Sequence, residues 1–467
     1  MIIISTIRRV GRFLVMTCTL ALAYGASFAV SPAARSEDAV EATDYSSGTA
    51  ATALGTLDAI VDAPSTPTAP PAPAAPTPNG GWLDVSTWPL IPVPEIAVDP
   101  DSGATLGILP TWLHTNDQHE ITRIIAPDLT HNPYFGVGTH FRIFEYPSSD
   151  EQWNVVAGIS ERVERSFDYE FQKGRLRDSN WTVNTSLIFD RSGTPRYYGI
   201  GNRSLLSDET NYTASQLVAQ AQFGYNLTHA WQVQYTTRVR RMEITEGTLA
   251  KIPTIESRYP EVHGLGTTDE VLNQIALVYD TRDDTTIPTR GTQWVGYAGV
   301  NGHNATISDS IYSMAGVDAR TYIPLSFLSD TTLAAHGAVR YLPSGHDIPF
   351  YDLSSIGGGG SDIAGEQLLR GFGQGRFVDR NSYSASFELR HRAFSFDAAA
   401  SHVDIEVTPF VDVGRVSSNI GVDPLSGLHK VVGVGFRGIA RPSVVGYVDI
   451  GYGTEGAAVF TGINYPF

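Results

Sequence analysis

Between Trp82 and Phe467 apolar and polar residues alternate with a period of two. Trp181, Val183, Thr185, Leu187 and Phe189 share one face of such a stretch, and Thr182, Asn184 and Ser186 share the other. Leu217, Ala219, Ala221, Phe223, Tyr225 and Leu227 alternate with Gln220, Gln222, Gly224 and Asn226. Trp231, Val233, Tyr235, Thr237 and Val239 alternate with Gln232, Gln234, Thr236, Arg238 and Arg240. Successive side chains of a strand point to opposite faces, so this period predicts β-strands. No stretch of comparable length carries a helical period.

In a soluble sandwich the apolar faces meet inside. In a membrane barrel they meet lipid, and the polar faces line a lumen. Several of the expected strands are longer than the usual five or six residues of soluble sheets. Trp112, Trp153, Trp181, Trp231 and Trp294 fall near strand ends, where interfacial aromatics belong. The pattern therefore predicts an all-β fold, a transmembrane antiparallel barrel. Five strands are expected after residue 380, near 381–394, 403–416, 428–439, 443–452 and 456–467. Eleven or twelve are expected before it, depending on whether 119–127 is a strand of its own. Single-chain bacterial barrels usually have an even number, which selects about 16.

The N-terminus adds an address. Arg8, Arg9 and Arg12 precede an apolar run from Phe13 to Ala29, which ends in Ser27-Phe28-Ala29. That is the layout of a secretory signal peptide over residues 1–29. Residues 30–81 are rich in Ala, Thr, Ser and Pro, with seven prolines between Pro64 and Pro78. Proline at this density blocks helix and strand pairing, so a disordered linker is expected, followed by the barrel at 82–467.

Composition narrows the chemistry. The chain has 467 residues, 32 Lys+Arg against 49 Asp+Glu, and a formal net charge of −17. Nucleic-acid binding is not expected, because phosphate neutralisation needs clustered cations. One cysteine excludes a disulfide framework and a Cys-based zinc site. There is no G-x-S-x-G nucleophile elbow and no P-loop. The expectation is a protein that is not an enzyme, with no catalytic residue, no metal and no cofactor. The Asp280-Thr281-Arg282-Asp283 run admits a metal or phosphate reading. Mixed charges at a turn more often form a local capping cluster.

Five motifs point to a family. The chain ends Gly462-Ile463-Asn464-Tyr465-Pro466-Phe467, which resembles the C-terminal signal of bacterial outer-membrane barrels. Tyr465 and Phe467 lie two apart, so both are expected to face lipid. Leu369-Arg370-Gly371-Phe372 follows the run Gly357 to Gly360 and resembles the (V/L)RG(F/Y) loop tip of the BamA/TamA superfamily of outer-membrane insertases and translocators. Phe410-Val411-Asp412-Val413-Gly414 resembles its F-x-D-x-G strand. Asp280-Thr281-Arg282-Asp283, followed by Pro288-Thr289-Arg290-Gly291, resembles its strand–turn–strand motif. Tyr197-Tyr198-Gly199-Ile200-Gly201-Asn202 resembles a turn of small barrels in the same superfamily.

The resemblance implies that the long loop folds back into the lumen and that Arg370 pairs there with Asp412. Gly371, Gly373 and Gly375 would let the loop turn and approach the wall. Members of the family carry periplasmic POTRA domains, and residues 30–92 have neither the length nor the composition for one. The implied protein assists insertion or translocation at the outer membrane of a Gram-negative-type bacterium. Its partners would be outer-membrane lipid, the barrel assembly machinery during biogenesis, and a periplasmic protein that supplies the missing module. A structural or gated-pore barrel is the other reading.

Overall fold

The computed structural model describes residues 91–467, apart from 116–120, 149, 175–176, 178, 306–308, 363–364, 399–400, 422–424 and 441–443. The expected signal peptide at 1–29, the linker at 30–81 and the barrel start at 82 lie outside the described residues.

Strands follow one another in chain order around a single antiparallel wall. The first nine are β1 (Ile91–Asp99), β2 (Gly103–Thr115), β3 (Ile121–Ile125 and Leu129–Asn132), β4 (Gly136–Ser148), β5 (Glu151–Ser160), β6 (Arg165–Lys173), β7 (Trp181–Ser192), β8 (Thr210–Asn226) and β9 (Trp231–Glu246). The next four are β10 (Gly266–Asp280), β11 (Gly291–Ala305), β12 (Asp309–Pro324) and β13 (Thr331–Ser344). After a long loop come β14 (Asn381–Ala398), β15 (Ser401–Ser417), β16 (His429–Ala440), β17 (Val444–Gly453) and β18 (Gly456–Ile463). The halves of β3 are one strand in one register: Trp112 faces Ile125 and Leu106 faces His131. Pro127 interrupts it because it has no N–H to give, while Ala126 and Asp128 still donate to Arg142 and His140.

Eighteen wall strands are thus present among the described residues, where about sixteen were expected. Five follow residue 380, as the pattern predicted. Thirteen precede it, because 119–127 does contribute a strand and because Pro92 and Pro94 hide β1 from a reading based on alternation.

The wall is apolar outside and polar inside. Val239, Ile275, Val317 and Phe387 are exposed, while Arg240, Glu270, Asp318 and Glu388, on the opposite parity of the same strands, are buried. A soluble protein would reverse this, so the outer face is built for hydrocarbon. The five tryptophans among the described residues sit at one rim, near the starts of β5, β7, β9 and β11 and the end of β2. Trp181 is 62% exposed and packs 4.9 Å from Tyr225; Trp231 packs 4.7 Å from Tyr279. Such a belt fits a membrane–water interface. The long loop lies at the opposite rim.

The two edge strands, β1 and β18, lie side by side. Among the described residues no backbone ladder joins them. Val98 N–H instead donates to the Thr461 side chain at 2.7 Å. In a strand, alternate residues present their N–H to the same side. Pro92 and Pro94 share the parity of Val98, so both positions bring a nitrogen without a proton to this seam.

Candidate functional site: the loop lock in the lumen

The loop between β13 and β14 leaves and returns through a small paired stem, Ser354–Ile356 with Phe377–Asp379. Its tip descends into the lumen and places Arg370, with no exposed surface, against β14–β17. The guanidinium grips Asp412 as a fork, Nε to Oδ2 at 2.9 Å and Nη2 to Oδ1 at 2.8 Å, and the Arg370 backbone N–H adds a third bond at 3.0 Å. A planar fork fixes orientation as well as charge.

The lock is larger than this pair. Arg370 Nη1 also donates to Asp449 Oδ2 at 2.9 Å and to Glu388 Oε1, and Nη2 donates to Ser386 Oγ at 3.1 Å. Arg437 bridges Asp449 and Glu388 from the far side. Arg390 Nε donates to Glu388 Oε2 at 2.8 Å. Three guanidinium groups therefore interleave with three carboxylates in a dry site. Removing Arg370 leaves Asp412 buried without a cation, while Glu388 and Asp449 keep Arg437; stranding a buried charge typically costs on the order of 3–5 kcal/mol.

The F-x-D-x-G strand works through its inward parity. The Phe410 ring lies 3.6 Å beneath the Arg370 guanidinium, Asp412 accepts the fork, and a Cβ at Gly414 would stand 3.2 Å from Ile356 of the loop stem. Phe372 packs with Ile356, Leu369, Phe377, Phe410, Val416 and Val431 around the lock. The expected loop-lock residues Arg370, Gly371, Phe372, Asp412 and Gly414 are all brought together. Of Gly371, Gly373 and Gly375, only Gly375 has a positive φ, +58°; nearer the stem, Gly357 and Gly358 are positive as well. Gly371 serves close approach: a Cβ there would be 2.8 Å from Val431. On the wall opposite, a Cβ at Gly451 would be 1.7 Å from the Arg370 carbonyl oxygen.

The Tyr197–Asn202 turn holds the same loop at its upper end. Tyr198 lies 4.2 Å beneath the Arg376 guanidinium, and Gly201 N–H donates to Val378 O at 2.7 Å. Arg376 is itself clamped by Glu455 at 2.7 Å and Ser204 at 2.9 Å. Nearby, the Gln374 backbone N–H donates to Asp101 at 2.5 Å. Burial, followed by the charge of Asp99, pushes the Asp101 carboxyl up to about 7.

The turn cluster forms a capping structure at the tryptophan rim. Asp280 takes a fork from Arg282, at 3.0 and 2.7 Å. Asp283 accepts the backbone N–H groups of Thr289 and Arg290, at 2.9 and 3.0 Å, and the Thr289 hydroxyl at 2.6 Å. Burial of Asp283 opposes ionisation, but these hydrogen bonds outweigh it and hold the carboxyl below its ordinary range. The Arg290 side chain is exposed, so only its backbone joins the cluster. Gly291 has φ +99°, and a Cβ there would meet the Thr281 carbonyl oxygen at 2.2 Å. Asp280 and Asp283 accept hydrogen bonds from the turn's own residues, and among the described residues no group of His, Cys, Asp and Glu is arranged to hold a metal ion.

One expectation fails. Tyr465 and Phe467 do not face lipid but fold into the lumen, where both are buried. Asn464 adopts a left-handed φ of +76°, and Pro466 cannot extend a strand ladder, so the wall ends at Ile463, four residues before the expected 467. Gly462, the first residue of the motif, remains in β18 beside Tyr447.

A family profile described as the Omp85 superfamily domain matches residues 150–437. The chain belongs to the Omp85 superfamily. No curated protein matches this Omp85 chain in sequence. Among solved structures it is similar to BamA from Haemophilus ducreyi lacking POTRA domains 1–3, with 14% identity and a TM-score of 0.49, over 82% of this chain and 77% of that one. It is also similar to CdiB from Escherichia coli, at 10% identity and TM-score 0.44, over 81% of this chain and 63% of that one. CdiB from Acinetobacter baumannii gives 12% identity and TM-score 0.41, over 80% and 65%. The Omp85 chain thus spans less than two thirds of either CdiB chain.

Glu388, Asp449, Arg437, Ser386 and Arg390 were not singled out from the sequence. No motif marks them. The available signal is parity: Ser384, Ser386, Glu388 and Arg390 occupy one face of β14, opposite Phe387.

Proposed function

We propose that this Omp85 barrel assists the insertion or translocation of other proteins at the outer membrane, and that its working part is the seam between β1 and β18. The observation that carries the reading is the proline-edged seam. Neighbouring wall strands are joined by backbone ladders, whereas β1 brings Pro92 and Pro94 to its free edge. A ladder hydrogen bond contributes roughly 0.5–1.5 kcal/mol net, so a seam short of donors separates more easily than any other strand pair. An edge with unpaired carbonyls also accepts a further strand. The loop lock supports the same reading, since it fills the lumen beside β14–β17 and turns traffic toward the seam. A periplasmic partner would present the client chain.

The gated-pore reading draws on one observation of its own. The lumen faces of β5–β7 carry Asn154, Asp168, Glu170 and Asp190, a polar wall suited to water and cations. The deciding experiment compares two activities of the purified full chain. Proteoliposomes containing it should speed the folding of a test barrel several-fold, while planar bilayers show only small, flickering conductance. Large steady conductance with no assisted folding would favour the pore.

A further inference from the structure

The inward-folded tail occupies a constructed site. The Arg390 guanidinium stands 3.7 Å from the centre of the Tyr465 ring and 5.2 Å from that of Phe467, and its Nη2 donates to the Phe467 carbonyl oxygen at 3.3 Å. The Tyr465 hydroxyl donates to Glu406 Oε2 at 3.1 Å. Glu406 is fixed in turn by Thr408 at 2.9 Å. Phe467 stacks on His336, with centroids 5.1 Å apart and planes at 21°, and packs with Tyr322, Ala334 and Leu368. His336 is held from behind by Asp318 at 2.8 Å. On the other side, Tyr465 packs with Ile287, Ile439 and Val445. A cation over two aromatic faces, an acceptor for a phenol and a donor for a backbone carbonyl are the elements of peptide recognition. None of them depends on the covalent link through Asn464.

We propose that this corner of the lumen is a binding site for a short aromatic peptide segment, filled here by the chain's own Tyr465-Pro466-Phe467 and able to take an external segment of the same chemistry. The occupant is the continuation of β18, so movement of that seam strand withdraws it. Occupancy reaches the loop lock by two contacts. Arg390 shares Glu388 with Arg370, and Phe467 touches Leu368, two residues before Arg370 in the loop. Emptying the site therefore strips Arg390, a cation that holds Glu388, of its ring and carbonyl contacts and removes a support of the loop tip.

The test uses the full chain and a variant with Tyr465→Ala and Phe467→Ala. A fluorescent Gly-Ile-Asn-Tyr-Pro-Phe peptide should bind the variant saturably, and the wild-type protein at least tenfold more weakly, because the tethered tail competes at high effective concentration. A peptide with Ala in place of Tyr and Phe should not bind. Binding should restore the slow protease cleavage of residues 357–378 that the variant has lost. Equal binding to both proteins, or none to a folded variant, overturns the proposal. A second measurement covers a variant that does not assemble. With Cys18→Ser and Phe467→Cys, maleimide labelling should be slow, and adding Arg390→Gln should accelerate it at least fivefold. Equal labelling rates would show that Arg390 does not hold the segment.

Discussion

On the wall formed by β14–β17, Glu388, Asp412 and Asp449 each meet a guanidinium, and the site is dry. On the wall formed by β5–β7, Asp168 is buried without an ion-pair partner among the described residues, with Asn154 diagonally across from it. Both walls have the same strand parity and the same apolar outer face. The difference is the loop. It brings Arg370 down to β14–β17, and a wall met by a cation from above can carry dense charge without water. Among the described residues, Asp168 on the β5–β7 wall meets no such visitor. The consequence bears on the seam. Its β18 side continues from the part of the wall that the loop stiffens. Its β1 side is a nine-residue hairpin strand edged by proline. Opening is therefore expected to begin with β1 and β2, ahead of β17 and β18.

The sharpest break of this comparison removes the visiting cation. Arg370→Ala should destabilise the barrel by about 3–5 kcal/mol in urea unfolding and hasten protease cleavage within 357–378. Asp168→Asn should change stability by no more than about 1 kcal/mol. Similar effects at the two sites would erase the distinction between the walls. Asp412→Ala should cost less than Arg370→Ala, since Arg370 keeps Glu388 and Asp449. The double variant should fall short of additivity, and Arg370→Lys should recover only part, having charge without the fork.

A steric test is next in size. Gly451→Ala places a Cβ on the Arg370 carbonyl oxygen and should cost roughly 1–3 kcal/mol while loosening the loop. Unchanged protease resistance would show that the tip does not sit against β17.

The smallest expected effect is pH-dependent. Asp101 titrates near 7 when folded, above its ordinary value of 3.8, so the folded state holds its proton more tightly than the unfolded state. Stability from this group is complete below about pH 4 and declines as pH rises to about 7. Stability in urea unfolding should fall across that window, and Asp101→Asn should flatten the fall. A rise in stability with pH across it would reverse the sign assigned to this group.

What the sequence disclosed depended on whether a residue advertised its setting. Alternation placed the strands after residue 380 within a few residues, because lipid demands an apolar outer face at every second position. The Arg370–Asp412 pair was legible only as what the family resemblance implies, a resemblance that Gly371, Phe372, Phe410 and Gly414 help to carry. Arg437, Glu388 and Asp449 were not, since a single charge on a lumen face looks the same with or without a visitor. The first strand was hidden by Pro92 and Pro94, which lower its β character because its free edge is not paired. Tyr465 and Phe467 have the spacing of lipid-facing aromatics, and only the turn at Asn464 and the missing donor of Pro466 send them inward.

The central claim is that the seam opens, and a removable clasp tests it most directly. Val98→Cys with Thr461→Cys places a disulfide where Val98 N–H now reaches Thr461. In proteoliposomes, assisted folding of a test barrel should fall to the unassisted rate when the clasp is oxidised and recover fully on reduction, with Arg370 and its loop undisturbed. Assisted folding that proceeds at the same rate through a closed clasp would contradict the account.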